Sequence, residues 1–135
     1  MLFVAASAWA KRPPVPPKGT TFTCTAVAVW DGDGPIWCKE GPRIRLAGIN
    51  ARELDNSCRK GARCPAMSGI EARDVLVNLL GGPKGVLPSG HVAVQSAPLA
   101  CRSFGPDRYK RTLATCRDEI SFIEDNLVKR GASLR

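Results

Sequence analysis

The distribution of apolar and polar positions predicts a chain that is mainly β. Residues 21–30 are rich in threonine and valine, which favours a strand. A tight turn at 31–35 leads to a second strand at 36–38. Residues 43–49 alternate in polarity, which predicts a third strand. One face of that strand carries two arginines: Arg43, Arg45, Ala47 and Ile49.

The second half of the chain predicts two more strands, over residues 91–101 and 109–116. A basic loop that contains glycine and proline, residues 102–108, joins them. The pattern therefore describes two hairpin-like regions separated by a longer helical and irregular stretch.

Two S-x-x-E patterns predict where helices begin. Ser68 and Glu71 form a capping box, and Gly81 ends the apolar pattern that follows. The inward positions at helical spacing are Ala72, Leu76, Leu79 and Leu80. The same pattern from Ser121 to Glu124 predicts the start of a last helix.

At 135 residues the chain is expected to form one folded domain, over residues 21–135. Residues 1–10 are apolar and end in an A-x-A pattern, which favours a signal-peptide-like segment over a plain apolar tail. Residues 11–20 are rich in proline, which predicts an extended spacer outside the core.

Six cysteines agree with export to an oxidising compartment, so a secreted or periplasmic protein is expected. The spacing of Cys58 and Cys64 is too wide for a usual zinc knuckle, and no histidine lies near them. Six cysteines allow 15 pairings. Proximity within a loop or across a hairpin favours these pairs: Cys24–Cys38, Cys58–Cys64 and Cys101–Cys116.

The charge balance is strongly basic, with 20 Lys and Arg against 12 Asp and Glu and a net charge of +8. Such a balance favours an acidic polymer as partner, such as nucleic acid or an anionic surface. A soluble basic domain without a polyanionic ligand is the alternative.

Few residue types remain for catalysis. His91 is the only histidine and lies in an apolar stretch, so a structural role is expected and Ser/His/Asp or Cys/His chemistry lacks support. Carboxylates and arginines can support metal-assisted phosphodiester hydrolysis, because carboxylates bind hard cations or activate water and arginines stabilise charge. The candidates lie in turns and at strand ends: Asp31, Asp33, Arg45, Glu53, Asp107 and Arg111.

Four motifs strengthen this interpretation through their order and spacing. They are V-W-D-G-D at 29–33, R-I-R-L-A-G-I-N-A-R-E at 43–53, D-R-Y-K-R-T-L-A at 107–114 and L-V-K-R-G-A at 127–132. Over residues 21–132 the chain resembles the staphylococcal nuclease family, in its exported, cysteine-containing bacterial branch. The resemblance implies an α+β, mainly β fold: a five-stranded OB-type β-barrel with two or three packed helices. It also implies a Ca²⁺-dependent nuclease that cleaves DNA and RNA.

The resemblance assigns a metal site. Asp33 matches the first metal-binding aspartate, and Asp31 matches an aspartate of the outer coordination shell. Ala51 matches a position that contributes its backbone carbonyl. Asn50 replaces the second metal-binding aspartate, and Gly34 replaces the threonine after D-G-D. An asparagine oxygen can still bind Ca²⁺ but adds no negative charge, so weak Ca²⁺ binding is expected.

The resemblance also assigns catalytic groups. Arg45 and Arg111 match arginines that contact the substrate phosphate, and Glu53 matches the glutamate that handles the attacking water. Arg52 replaces a proline that fixes the backbone before the glutamate, and Lys110 replaces a glycine. Reduced activity is therefore expected.

Two functions thus remain open. The first is an exported, monomeric, metal-dependent endonuclease that acts on DNA and RNA, prefers single strands and has no membrane association after signal removal. The alternative is an OB-type domain that binds single strands by charge and stacking without cutting them. The aromatic residues expected near the rim are Trp30, Trp37, Phe104 and Tyr109. A disulfide-stabilised inhibitor would explain the cysteines but not the four motifs.

Overall fold

The computed structural model describes residues 12–135, so the signal-peptide-like segment at 1–10 lies outside the described residues. The described strands are β1 (Thr21–Asp31), β2 (Gly34–Cys38), β3 (Arg43–Leu46), β4 (Gly85–Val86), β5 (Val92–Ala93), β6 (Pro98–Pro106) and β7 (Thr112–Arg117). The described helices are α1 (Gly69–Leu79) and α2 (Ile123–Lys129).

Five of these strands close into a barrel in the order β1-β2-β3-β7-β6-β1. Strand β1 pairs antiparallel with both β2 and β6, which closes the ring, and β3 runs parallel to β7. The short hairpin of β4 and β5 extends the sheet from β1. The predicted α+β, mainly β fold with an OB-type five-stranded barrel is confirmed.

The core forms because alternate residues of each barrel strand point inward, and both helices bury one face against the barrel. In α1 the capping box is present: Ser68 Oγ accepts from the Glu71 amide at 3.1 Å. Leu79 is only partly buried, whereas Val77, which was not predicted to point inward, is buried in the core. The largest fully buried side chains are Ile36, Ile44, Leu46, Ile49, Leu76, Leu80, Ile123 and Leu127.

The predicted strand at 43–49 is too long. Strand β3 ends at Leu46, and Gly48 at φ +75° turns the chain away. Arg43 and Arg45 do share the outward face, but Ile49 lies beyond the strand and is 1% exposed. The turn matters for the site because it leads the chain from Arg45 into the loop that carries the next candidate residues.

The late strands also differ from the prediction. Residues 91–101 do not form one strand, because β5 ends at Ala93 and β6 begins at Pro98. Between them Ser96 pairs with β1: its hydroxyl accepts from the Ala26 amide at 2.8 Å. Strand β6 then runs through the predicted loop as far as Pro106.

The capping box predicted at Ser121 and Glu124 is not formed. Helix α2 has Phe122 at its N-cap with no side-chain cap, and Ser121 does not bond to the Glu124 amide. Glu124 is instead 3% exposed and turns to β7, where it accepts from the Thr115 hydroxyl and, at 3.2 Å, from the Cys116 amide. Glu124 therefore bonds to β7 rather than to the backbone at the start of its own helix.

Three disulfides link the six cysteines, in the pairs that proximity predicts: Cys24–Cys38, Cys58–Cys64 and Cys101–Cys116. The first joins β1 to β2, the second closes a loop, and the third joins β6 to β7. Disulfides form in oxidising compartments, so the protein belongs in an extracellular or periplasmic environment.

The described part of the proline-rich spacer lies along β6. The buried Ser103 hydroxyl donates to the Pro16 carbonyl at 2.7 Å, and the Gly19 amide donates to the Ser103 carbonyl at 2.8 Å. Neither helix within residues 12–135 has the length and apolarity needed to cross a membrane.

Candidate functional site

A polar cleft of about 830 Å³ opens where the β1–β2 turn, the end of β3 and the β6–β7 turn meet. Seven predicted side chains from separate parts of the sequence line it: Asp31, Asp33, Arg45, Asn50, Glu53, Asp107 and Arg111. The eighth predicted residue, Ala51, is buried beside the cleft rather than in its wall.

The barrel connections bring these segments together. The Leu46 amide of β3 donates to the Asp33 carbonyl at 3.0 Å, which holds the β1–β2 turn against β3. Strand β3 lies parallel to β7 with Arg45 opposite Leu113, so the start of β7, with Arg111 just before it, lies beside Arg45. Neighbouring barrel strands thus place residues from distant motifs around one cleft.

The two aspartates of the β1–β2 turn are almost fully buried, with Asp31 at 4% and Asp33 at 6% exposure. The Asp33 amide donates to Asp31 Oδ1 at 3.3 Å. The turn needs glycine at Gly32, because a Cβ there would lie 2.8 Å from the Cβ atoms of both Ala51 and Ala72. Close packing against α1 and the Ala51 loop therefore holds both carboxylates in place.

Asp31 is an unusual carboxylic acid. Burial, the charge of Asp33, and hydrogen bonds to Asp33 and Glu53 raise the pKa of Asp31 to about 10. The Asp31 carboxyl group is therefore protonated at neutral pH.

Arg45 connects Asp33 to Asn50. One guanidinium nitrogen, Nη2, lies 3.2 Å from Asp33 Oδ2 and donates to Asn50 Oδ1 at 3.0 Å. Its Nη1 donates to the Leu46 carbonyl. The guanidinium thus neutralises Asp33 and is anchored on the backbone of its own strand.

Asn50 and Ala51 are held from both sides. The backbone of Asn50 pairs with Leu134 near the C-terminus, with N–O distances of 2.8 and 3.0 Å. The Ala51 amide donates to Asp33 Oδ2 at 2.9 Å. The contact seen for Ala51 is therefore made by its N–H, whereas the resemblance implies a role for its carbonyl.

Glu53 is exposed at the mouth of the cleft, and its loop is tightly held. Its amide donates to the Ser57 carbonyl at 2.9 Å, and its own carbonyl accepts from the Asn56 amide at 2.8 Å. Gly69 packs on the same carbonyl so closely that a Cβ there would lie 1.8 Å from the oxygen. The Glu53 carboxyl group, exposed on a fixed backbone and hydrogen-bonded to Asp31, is placed where it can take a proton from a water molecule.

The Arg52 side chain fixes the backbone around the Glu53 loop. Its side chain donates to the Asn56 carbonyl at 2.8 Å and to the Pro65 carbonyl at 2.7 Å. These bonds join the Glu53 loop to the loop closed by Cys58–Cys64. The sequence pattern gave no sign of this role, because both acceptors are backbone atoms.

Arg111 is positioned by Asp107, which lies four residues earlier. Its Nε lies 2.7 Å from Asp107 Oδ2, while Asp107 Oδ1 accepts from the amides of Tyr109 and Arg111. Burial pushes the pKa of Asp107 upward, but these hydrogen bonds from Arg111 and Tyr109 hold it below its ordinary value. Lys110 adopts the left-handed conformation at φ +69° to complete the turn.

Further basic residues border the cleft that sequence reasoning did not select. Arg59 and Lys60 lie on the disulfide-closed loop, and Arg108 lies on the β6–β7 turn. All three side chains are exposed. Clustered lysines and arginines suit a phosphate backbone. The basic run at 59–63 was the available signal for Arg59 and Lys60.

The fit to Ca²⁺ can be tested on these contacts. No group of three or more His, Cys, Asp and Glu side chains in the described part of the chain is arranged as a ready metal site. Asp33 Oδ2 and Asn50 Oδ1 nevertheless lie together at the Arg45 guanidinium, and the Asp31 carboxyl group lies beside Asp33. Hard oxygen donors of this kind fit Ca²⁺, with a low ligand charge because Asn50 is neutral.

The fold and the cleft define an OB-type barrel with buried aspartates, an exposed glutamate and arginines at one site. In comparisons with known proteins, the chain matches no family model, no curated protein and no solved structure.

Proposed function

We propose that the protein is an exported, Ca²⁺-dependent nuclease of the staphylococcal nuclease type that hydrolyses phosphodiester bonds of DNA and RNA. The observation that carries the proposal is the cleft itself. Two aspartates, a glutamate and two arginines from separate parts of the sequence meet around about 830 Å³ of open space. These residue types can support metal-assisted phosphodiester hydrolysis.

The protein's own residues have distinct roles in this proposal. Glu53, exposed and held on a fixed loop, accepts a proton from the water that attacks the phosphorus. Arg45 and Arg111 are each anchored by a carboxylate. In this proposal their remaining N–H groups donate to the phosphate oxygens. Exposed Arg59 and Lys60 bind the neighbouring phosphates.

Asp33, Asn50 and the backbone of Ala51 would hold Ca²⁺, with Asp31 in the outer shell. A bound Ca²⁺ polarises the phosphodiester and offsets the carboxylate charge. Because Asn50 contributes no charge, metal affinity and activity are expected to be lower than with an aspartate there.

A second candidate function is nucleic-acid binding without cleavage. The pairing of Arg45 with both Asp33 and Asn50 favours it, because a guanidinium already neutralises the carboxylate that a metal would use. A pure binder, however, has no need of Glu53 on a fixed loop. In either case we expect a monomer that acts on single-stranded DNA or RNA in preference to duplexes.

The test is cleavage of single-stranded DNA and RNA by the oxidised protein, with Ca²⁺ and then with excess chelator. We expect cleavage that chelator removes. Glu53→Gln should lower turnover by about 10²-fold or more with little change in DNA affinity, because it removes a base and keeps the size. Glu119→Gln is the matched control, since Glu119 is exposed and lies outside the cleft lining.

Each alternative has its own signature in this test. Equal cleavage with and without chelator would contradict the role of the metal. Full activity of Glu53→Gln would make Glu53 an ordinary loop residue. Binding of single strands without cleavage under any divalent ion would select the second candidate.

A further inference from the structure

A smaller hollow of about 380 Å³ lies next to the cleft, and Arg111 lines both. Its walls are aromatic and basic: Trp30, Trp37, His91 and Arg43 contribute to it. These residues come from β1, β2, the segment before β5, and β3. They are far apart in sequence, and none belongs to the catalytic groups assigned above.

The aromatic rings are packed on one another. The His91 ring centroid lies 4.1 Å from that of Trp37 and 4.9 Å from that of Trp30. The Ser89 hydroxyl and His91 Nδ1 are 2.8 Å apart, which fixes the imidazole. Arg43 is opposite Trp37 across the β2–β3 pair, with its Cζ 4.3 Å from the indole centroid. The cluster is therefore preorganised rather than loose.

Packing alone does not account for this cluster. The rings lie on the outer side of the barrel, and Trp30 remains 37% exposed although a core position would bury it. Arg43 forms no salt bridge with any residue between 12 and 135, so its charge is available to an anion. Burial, and then the charge of Arg43, lower the pKa of His91, which keeps the ring neutral near pH 7.

Aromatic faces beside arginines suit a nucleotide. Bases stack on aromatic side chains, while arginines bind the phosphates on either side. A hollow of this volume is within the usual range for a ligand site. Since Arg111 is shared, a base in the hollow belongs to a strand whose phosphate lies in the cleft.

We infer that the hollow of Trp30, Trp37 and His91 is a base-stacking subsite, which holds one base of a single-stranded nucleic acid whose backbone occupies the cleft. Arg43 binds the phosphate next to that base. The subsite rests on the proposed function, because the cleft must hold the backbone, and it accounts for a preference for single strands: a paired base cannot leave its stack without cost.

The test measures binding rather than cleavage. The oxidised protein, in chelator, is titrated into a fluorescein-labelled oligothymidylate and into an abasic oligomer of the same length and phosphate count. We expect the oligothymidylate to bind roughly tenfold more tightly or better, the scale of one base–aromatic stack. Trp37→Leu and Trp30→Leu should each remove most of that difference by weakening only the oligothymidylate complex.

Two further variants control for folding and for general hydrophobicity. Trp37→Phe keeps a stacking ring and should retain most of the base preference even where Trp37→Leu is poorly folded. Phe104→Leu should change neither affinity, because Phe104 is 43% exposed on β6 and lines neither the cleft nor the hollow.

The outcomes separate this inference from the proposed function. Equal affinity of the parent protein for the two oligomers, or equal losses for both in the tryptophan variants, would overturn the subsite and leave the nuclease proposal standing. Failure to bind either oligomer would overturn the subsite, while cleavage with Ca²⁺ decides the nuclease proposal separately.

Discussion

A single guanidinium holds a carboxylate and an amide together at the centre of the cleft. Arg45 Nη2 contacts Asp33 Oδ2 and Asn50 Oδ1, and Asp33 Oδ2 also accepts from the Ala51 amide. A cation that binds Asp33 Oδ2 would therefore compete with Arg45 for that oxygen. If the proposed Ca²⁺ binds there, a negative charge at position 50 should favour the metal.

Asn50→Asp should strengthen Ca²⁺ binding, because it adds one negative charge among the oxygens that the resemblance assigns to the metal. We expect a lower Ca²⁺ concentration at half-maximal cleavage. We also expect a larger rise in the thermal unfolding midpoint when Ca²⁺ is added, since ligands that bind the folded state stabilise it. A calcium titration monitored by both cleavage and thermal unfolding measures the change.

Asn78→Asp is the matched control, because it adds the same charge on an exposed position of α1 outside the cleft. Its calcium titration should coincide with that of the parent. If Asn50→Asp also leaves the titration unchanged, residue 50 is not a ligand, and Arg45 and Asn50 belong to a binding surface.

At the scale of elements, Glu124 joins α2 to β7. Its carboxyl group accepts from the Thr115 hydroxyl and the Cys116 amide, and only 3% of the residue is exposed. Burial raises the pKa of Glu124 even though these hydrogen bonds oppose the shift. Helix α2 is thus attached to the barrel by a buried acid.

This attachment predicts a pH dependence of stability. The folded-state pKa of Glu124 is above its unfolded value, so its stabilising contribution is complete below the unfolded value and decreases as pH rises through the folded one. Glu124→Gln stays neutral, so its free energy of unfolding should exceed that of the parent increasingly from acidic to neutral pH. Urea unfolding measured from about pH 4 to pH 8 tests the sign.

Two variants show whether burial causes the effect. Glu119→Gln, on an exposed position, should follow the parent at every pH. Glu124→Ala should cost about 1–3 kcal/mol at acidic pH, because it leaves the Thr115 hydroxyl and Cys116 amide unpaired. A constant difference between Glu124→Gln and the parent across the range would rule out the buried-acid explanation.

At the scale of the whole molecule, the net charge of +8 is distributed partly around the cleft. Exposed Arg59, Lys60 and Arg108 border it, on the disulfide-closed loop and the β6–β7 turn. A single strand bound there releases counterions, so its affinity should fall as the salt concentration rises. In a plot of log affinity against log salt concentration, each contacted phosphate should add about −0.7 to the slope.

Arg59→Gln should therefore reduce that slope by about 0.7 if Arg59 contacts one phosphate. Affinity measured in chelator over a series of salt concentrations gives the slope. Arg73→Gln removes the same charge from α1, where Arg73 pairs with Asp74 and lies outside the cleft lining, and should leave the slope unchanged. Equal slopes for Arg59→Gln and the parent would exclude the loop from the nucleic-acid interface.

The sequence by itself determined the features whose partners are close along the chain. The Ser68 cap needs only Glu71, three residues away, and it starts α1 as predicted. Threonine and valine content located β1, alternation located β3, and hairpin proximity paired the cysteines of the barrel strands. Local hydrogen bonds and side-chain periodicity act at short range, so a local pattern is sufficient to predict them.

Only the tertiary structure determined which partner a polar side chain binds when the possible partners are distant in sequence. The predicted strand is interrupted at Ser96, because β1 pairs with β6 on one side of this contact and with β5 on the other. Glu124 bonds to β7 instead of capping its own helix. The same dependence on the fold gives Arg52 its carbonyl acceptors and places Arg45 between Asp33 and Asn50. Burial makes an unpaired polar group costly, so each of these polar side chains bonds to the nearest partner in the closed barrel. The linear sequence does not show which residues are near one another in the fold.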